Sequence, residues 1–276
     1  MSNGKEGNPA AMKKAAAEKL RKSEQVYVLF SQCTRMPYVV CDDNTYDDEI
    51  LLYFQEETAK NAAKKLLEKK EPVQALKIGK KDLLPFFVSL MPLGVNCILI
   101  NQEPLPDEIL NGKDTEYELS SDPALTGIPI QLDEIIRRKE PGEEGKVLIE
   151  NPQFHLTALY FMQKVRKDRQ VEFTEEIKEL HEEMMAHYQK GKYIIPVKEN
   201  AGTLVMKQKD GQIFQPVFTD IQEYKKFLSM NREGNIKTAV LPAEKIPGIL
   251  APGTIGVAVN PFGVNLQLQM KRRKQA

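Results

Sequence analysis

Cysteine is scarce in this 276-residue chain: there are three, Cys33, Cys41 and Cys97. An odd number cannot all pair within one chain, and so few thiols fit a reducing cytoplasm better than a disulfide-held secreted domain. Net charge is lacking as well, because 39 Lys and Arg balance 39 Asp and Glu. No global field then draws in nucleic acid or an anionic membrane, and neither is expected as a partner. Long apolar runs are also missing. Nothing approaches the roughly 18 consecutive apolar residues of a membrane span. Residues 1–11 are polar and contain Gly and Pro, so they read as a disordered start and not as a secretory leader.

Several catalytic signatures are absent. The sequence holds no Gly-x-x-x-x-Gly-Lys loop, no Gly-x-Gly-x-x-Gly after a strand and no Gly-x-Ser-x-Gly elbow, which removes the usual support for phosphate cradling and serine hydrolysis. His181 and His187 flank an acidic stretch on one helix, but a zinc-protease site needs its second histidine at i+4, where Met185 stands. His155 follows Phe154 with no nucleophile motif nearby and reads as a helix-surface residue. The three thiols fall short of a structural zinc set, so no cofactor or metal is expected. The acidic run from Asp42 to Glu49 lacks the central glycine and ligand spacing of a calcium loop and reads as a solvated hairpin tip.

What is present is an ordinary globular composition, 41% hydrophobic and 28% charged, with length for about two domains. An internal repeat organises it. The second half runs Tyr193-Ile-Ile-Pro-Val197, Thr203-Leu-Val-Met206, a turn at Lys209-Asp-Gly211, Pro216-Val-Phe-Thr219, a helix to Met230, a strand from Ile236 and Ile255-Gly-Val-Ala-Val-Asn260. The first half repeats that order: Val26-Tyr-Val-Leu-Phe30, Tyr38-Val-Val-Cys41, a turn at Asp42-Asp-Asn44, Leu52-Tyr-Phe-Gln55, a helix to Lys70, a strand from Val73 and Ile98-Leu-Ile-Asn101. Matching Phe54 to Phe218 gives an offset of 164 residues, against 167 for the opening strands and 162 near the end.

The fold class is therefore α+β: two tandem related modules, each a mainly antiparallel sheet with packed helices. Residues 12–102 form the first module, 103–150 an irregular linker, 151–190 a helical hairpin, 191–270 the second module and 271–276 a basic tail. Alternation in Val264-Asn-Leu-Gln-Leu-Gln-Met270 sets one strand face inward. In the hairpin, Asn151-Pro152 reads as the cap and first residue of a helix, and Gly191 as a left-handed stop for the next. Thr219 and Gln222 have capping-box spacing, ahead of a buried stripe of Ile221, Tyr224, Phe227 and Leu228.

Tyr193-Ile-Ile-Pro-Val197, Pro216-Val-Phe-Thr219 with its following Tyr224 helix, and Val259-Asn-Pro-Phe-Gly263 carry a resemblance to the SseB amino-terminal domain family of bacterial proteins. It covers roughly residues 170–270 directly and the first half only through the repeat. The resemblance implies a fold and no catalytic residues. The first half departs from it at Phe54-Gln55 and Asn101-Gln102. Two functions are expected from these readings. The first is a non-enzymatic binding or scaffold protein with a protein or peptide partner, its binding surface formed by Phe218, Thr219, Asn260 and Pro261. The alternative is a small-molecule binder or enzyme with its site in a cleft between the modules.

Overall fold

The computed structural model describes residues 9–101, 127–136, 149–168, 171–198, 202–231 and 236–272. Most of the basic tail lies outside that set. Among the described residues the chain is α+β, with eight helices and three mainly antiparallel sheets. It divides into two compact units, the first drawn from residues before Glu140 and the second mostly from residues after it.

In the first unit, α1 (Pro9–Lys22) precedes β1 (Gln25–Ser31), β2 (Val39–Cys41), β3 (Asp48–Tyr53), α2 (Glu56–Glu68), β4 (Val73–Gly79), α3 (Lys80–Leu93), β5 (Cys97–Ile100), β6 (Ile128–Gln131) and the single turn α4 (Leu132–Ile135). Helix α1 takes in residues 9–11, part of the stretch read as disordered, and seats Ala16 and Leu20 without exposure. One sheet runs β4-β1-β3-β5-β6, with β2 on β3. Only the β3–β5 pairing is parallel. The apolar, β-branched and aromatic residues of β1 suit a strand covered on both faces. Helix α2 lays Ala59, Ala62, Ala63 and Leu66, spaced i, i+3, i+4 and i+7, over Tyr27, Leu29, Tyr53 and Val73.

Strand β6 belongs to this sheet although it lies inside the stretch read as an irregular linker. Its Ile128 and Ile130 are buried while the residues between them are half-exposed. Pro129 is tolerated because β6 pairs with β5 alone, at the sheet edge.

The second unit contains α5 (Pro152–Lys167), α6 (Glu175–Lys190), β7 (Lys192–Lys198), β8 (Gly202–Thr203), β9 (Met206–Lys207), β10 (Ile213–Val217), α7 (Ile221–Met230), β11 (Ile236–Pro242), a short helical passage with α8 (Ile246–Ile249), β12 (Gly256–Val259) and β13 (Leu266–Gln269). Strands β11-β7-β8 form one sheet and β13-β12-β10-β9 another. A single antiparallel bridge, Ile194 to Phe218, links them, with both N–H···O distances at 2.9 Å. Through that bridge the order β11-β7-β10-β12-β13 parallels β4-β1-β3-β5-β6. Again one pairing in that path, β10 with β12, is parallel. The alternation read in the last strand is present, Leu266 and Leu268 facing inward between exposed glutamines.

Registers relate the two units position by position. Tyr27 pairs with Tyr53 as Ile194 pairs with Phe218, and Leu52 with Ile100 as Val217 with Val259. Tyr53, not Phe54, thus stands where Phe218 stands. The middle offset is 165, and the last is 159.

Two expected helix ends take a different form. Gly191 is extended, at φ −76° and ψ 160°, so its glycine is not a left-handed stop. A Cβ there would lie 2.5 Å from Asn151 Oδ1 and 2.6 Å from the Tyr193 hydroxyl, which explains the residue by close approach. Asn151 and Pro152 are the cap position and first residue of α5 as expected, although the Asn151 side chain makes no capping bond and reaches β7 instead, as described below. Helix α7 is capped by Asp220, while Tyr224 and Phe227 are buried and Ile221 and Leu228 are exposed.

Candidate functional site

The residues after β10 turn away from the sheet into α7, and four polar side chains meet there without solvent. His155 is 2% exposed, Asp220 1%, and Thr219 and Asn260 not at all. Asp220 serves as N-cap because its extended backbone aims Oδ1 at the first free amides of α7, those of Gln222 at 2.8 Å and Glu223 at 2.9 Å. Its Oδ2 accepts from the Thr219 hydroxyl at 2.6 Å and lies 3.4 Å from His155 Nδ1. Asn260 follows β12 in a left-handed conformation, φ +46°, which asparagine adopts more readily than most residues. Its Oδ1 accepts from Thr219 N–H at 3.0 Å, and its Nδ2 donates to Thr219 Oγ1 at 2.8 Å and to His155 Nε2 at 3.3 Å.

Hydrogen counting fixes the protonation pattern. The backbone N–H of Thr219 can only donate, so the Asn260 amide oxygen faces it and the NH2 faces His155. Nε2 must then offer a lone pair, and the imidazole proton sits on Nδ1, toward Asp220 and Thr219. Burial acts to raise the Asp220 carboxyl, but hydrogen bonds from His155, Thr219 and the Glu223 backbone outweigh it and hold the carboxyl below its ordinary value.

Neighbouring groups fasten this cluster. Asn151 donates through Nδ2 to the carbonyls of Lys192 and Thr219, each at 2.7 Å, and accepts from Lys192 N–H at 3.2 Å. Glu223 is buried on α7, with Oε1 bonded to Lys226 and Oε2 buried without a partner. Gly263 makes room for that carboxylate, since a Cβ there would come within 2.4 Å of Oε2.

Three of the four residues read as a binding surface are therefore interior. Phe218 packs against the rings of Tyr224 and Phe227, at 5.4 and 5.2 Å between centroids. Thr219 and Asn260 belong to the polar cluster, and Pro261 is half-buried in the turn beyond. His155, read as a surface residue, is the residue at the centre. Chemically the arrangement is an Asp–His pair whose Nε2 faces an amide NH2 where a hydrolytic triad would hold a nucleophile. It ties β10, α5 and the 260–265 turn together.

The other histidines stand apart: His181 lies against the Phe161 ring, and His187 beside Glu183 at 3.5 Å. In the first unit, Asp42 and an exposed Tyr46 build the expected solvated turn, but Glu49 points inward and is buried. It accepts from the Cys97 thiol at 3.3 Å, and Asp47 closes a three-ligand group within 4.8 Å. Asp47 is already taken by Asn96 at 2.8 Å and Gln131 at 2.9 Å. Burial pushes both Glu49 and Cys97 up, and for the thiol the neighbouring Glu49 adds to the effect. Cys97 therefore stays protonated beside the carboxylate. Cys33 is half-buried and Cys41 exposed, and none of the three is in a disulfide.

The surface of the second unit carries a different feature. Leu204, Val205, Met206, Phe227, Met230, Asn231 and Phe262 line a depression of about 210 Å3. Val205, Met230 and Phe262 are exposed there, Met230 by 67%. No described helix is long and apolar enough to cross a membrane.

No protein-family model matches the chain, and no curated protein matches it. Two solved structures are similar to it at low TM-score. Tic22 from Plasmodium falciparum is 14% identical with a TM-score of 0.21, covering 87% of this chain and 90% of that one. Anabaena Tic22, described as a protein of protein transport, is 8% identical with a TM-score of 0.20, covering 84% of each chain.

Proposed function

We propose that this chain is a non-enzymatic binding or scaffold protein of SseB-like type, built from two diverged copies of one α/β module and acting in a reducing cytoplasm. The observation that carries the reading is the contrast between interior and surface in the second unit. Its convergent ionisable side chains face one another and are sealed from solvent, which leaves them no access to a substrate. Its accessible surface instead offers the apolar depression around Val205, Met230 and Phe262. Exposed apolar patches on soluble domains are preferred places for association, and methionine adapts to varied partners. A protein or peptide segment is the proposed ligand, with neither nucleic acid nor membrane as partner.

Shared strand order, shared registers and a left-handed asparagine after the parallel strand in each unit support the duplication. Cysteines held in no disulfide support the cytoplasmic setting. A photo-crosslinking residue placed at Met230, with Leu67 on α2 as an equally accessible control position, tests the binding face in the native host. Discrete adducts at Met230 that disappear in Val205→Asp/Phe262→Asp, with none at Leu67, are expected. Equal labelling at both positions, or none at Met230, would refute the reading.

A further inference from the structure

We propose that the His155–Asp220–Thr219–Asn260 cluster is a protonation switch confined to the second unit: uptake of one proton there breaks the tie between Asn260 and Thr219 and loosens the corner joining β10, α7 and the 260–265 turn.

The geometry permits one charge state. A second proton on His155 would go to Nε2, which already meets the Asn260 NH2 at 3.3 Å, so two donors would face each other. Asn260 cannot resolve this by turning its amide over. That would replace the oxygen accepting from Thr219 N–H at 3.0 Å with a second donor. The hydroxyl of Thr219 offers no slack either, since its one hydrogen goes to Asp220 at 2.6 Å. A proton on Asp220 is no better accommodated: its two oxygens receive two backbone amides, the Thr219 hydroxyl and the approach of His155 Nδ1. With every partner buried, water cannot repair a mismatch without the corner opening.

Of the ionisable groups around the cluster, Asp220 offsets the added charge from the Nδ1 side alone and does not relieve the meeting of two donors at Nε2. From α7 come Asp220, Glu223 and Lys226, the last bonded to Glu223. The α6 and β7 side presents Tyr188 and Tyr193 beside Phe154, both pushed up by burial and therefore neutral. His181 faces Phe161 further along α5. At the far end of α5, Arg166 donates to the carbonyls of Val264 at 3.0 Å and Asn265 at 2.7 Å, and burial lowers it. The first unit has the same left-handed asparagine, Asn101, whose Oδ1 accepts from Phe54 N–H at 3.3 Å. Phe54 and Gln55 replace Thr219 and Asp220 there, so the titrating members are missing.

Nitrogen-15 NMR of the three histidines in the full chain tests this, with His181→Gln and His187→Gln assigning His155 by elimination. Near pH 7.5, His155 is expected as the neutral Nδ1–H tautomer. As the solution is acidified from neutrality, amide exchange corrected for its intrinsic pH dependence should quicken about tenfold over residues 214–220 and 256–265. The change should reverse on neutralisation and leave residues 49–56 and 97–101 unaffected. His155→Gln should lose the response. An Nε2–H tautomer or a charged imidazole near neutrality, or equal acceleration in both units, would overturn the proposal. These wild-type readings decide the matter even where the glutamine variant does not fold.

Discussion

The two units place their buried polar groups at different points of one strand plan. Where β3 meets β5, the first unit sets Glu49 opposite Cys97; where β10 meets β12, the second sets Phe214 opposite Gly256. One turn further on, the arrangement reverses, with Phe54 and Gln55 in the first unit against Thr219 and Asp220 in the second. Only the asparagine is common, and in both units it is left-handed and bonds a backbone amide just past the strand, that of Phe54 or of Thr219. The backbone tie is thus the shared element, while the side chains around it are free to become apolar or ionic.

The largest difference should appear on removing the two helix caps. Asp220→Ala takes away a capping carboxylate, worth roughly 0.5–2 kcal/mol, and strands buried donors on Thr219 and His155, each costing about 1–3 kcal/mol. A total loss of about 4 kcal/mol in urea unfolding of the second unit follows. Gln55→Ala, whose side chain makes no capping bond, should change the first unit by less than ~0.5 kcal/mol. Equal losses would mean that the two corners are energetically alike after all.

Next comes an exchange at the parallel pair. Gly256→Ala puts a Cβ 2.0 Å from the Leu268 carbonyl oxygen, backbone against side chain, and should cost about 3 kcal/mol, at the upper end for overpacking. Cys97 occupies the corresponding place without such a clash. Asn260→Gly and Asn101→Gly sharpen the comparison further. Glycine keeps the left-handed backbone in both, so thermal melts report the side-chain bonds alone: about 1 kcal/mol for Asn101, and two to three times that for Asn260 with its three bonds.

The smallest effect is the opposed response to acid. Asp220 is held low when folded, so its contribution is complete above the ordinary aspartate value of about 4 and is lost as pH falls below it. Glu49 is held high when folded, so its protonated form favours folding, and that contribution is lost as pH rises through its raised value. Acidification should first strengthen the first unit as Glu49 takes up its proton, and weaken the second once pH falls below the ordinary aspartate value of about 4. Glu49→Gln should flatten the first unit's profile, and denaturant melts resolved by unit would show it.

Strand order and helix stripes were legible because alternation and i, i+4 spacing are local, as in Leu266 and Leu268 or Ala59 and Ala63. The one-residue error at Phe54 came from matching identical letters. Register alone shows that Tyr53 faces β1 as Phe218 faces β7. Strand β6 was hidden by the prolines and acids around it, which suit a sheet edge as well as a loop. His155 was missed because Phe154, Ala158 and Phe161 drew attention to one face of α5. The signal was nonetheless present, since His155 precedes Ala158 by three residues and Met162 by seven, the spacing of a second inward stripe. No local pattern announces Glu49 or Asp220 as buried, because their partners lie 48 and 65 residues away.

The bridge between Ile194 and Phe218 has a mechanical consequence. Along β1 and β3, two residue pairs share any load, whereas β7 and β10 are joined by one. Tension applied across the second unit would concentrate on those two hydrogen bonds and part β7 from β10 as a zipper opens, before either sheet yields internally. A pulling experiment would record a lower first rupture from this unit than from the first, and a stiffer early response wherever residues flanking the bridge extended the ladder by even one pair.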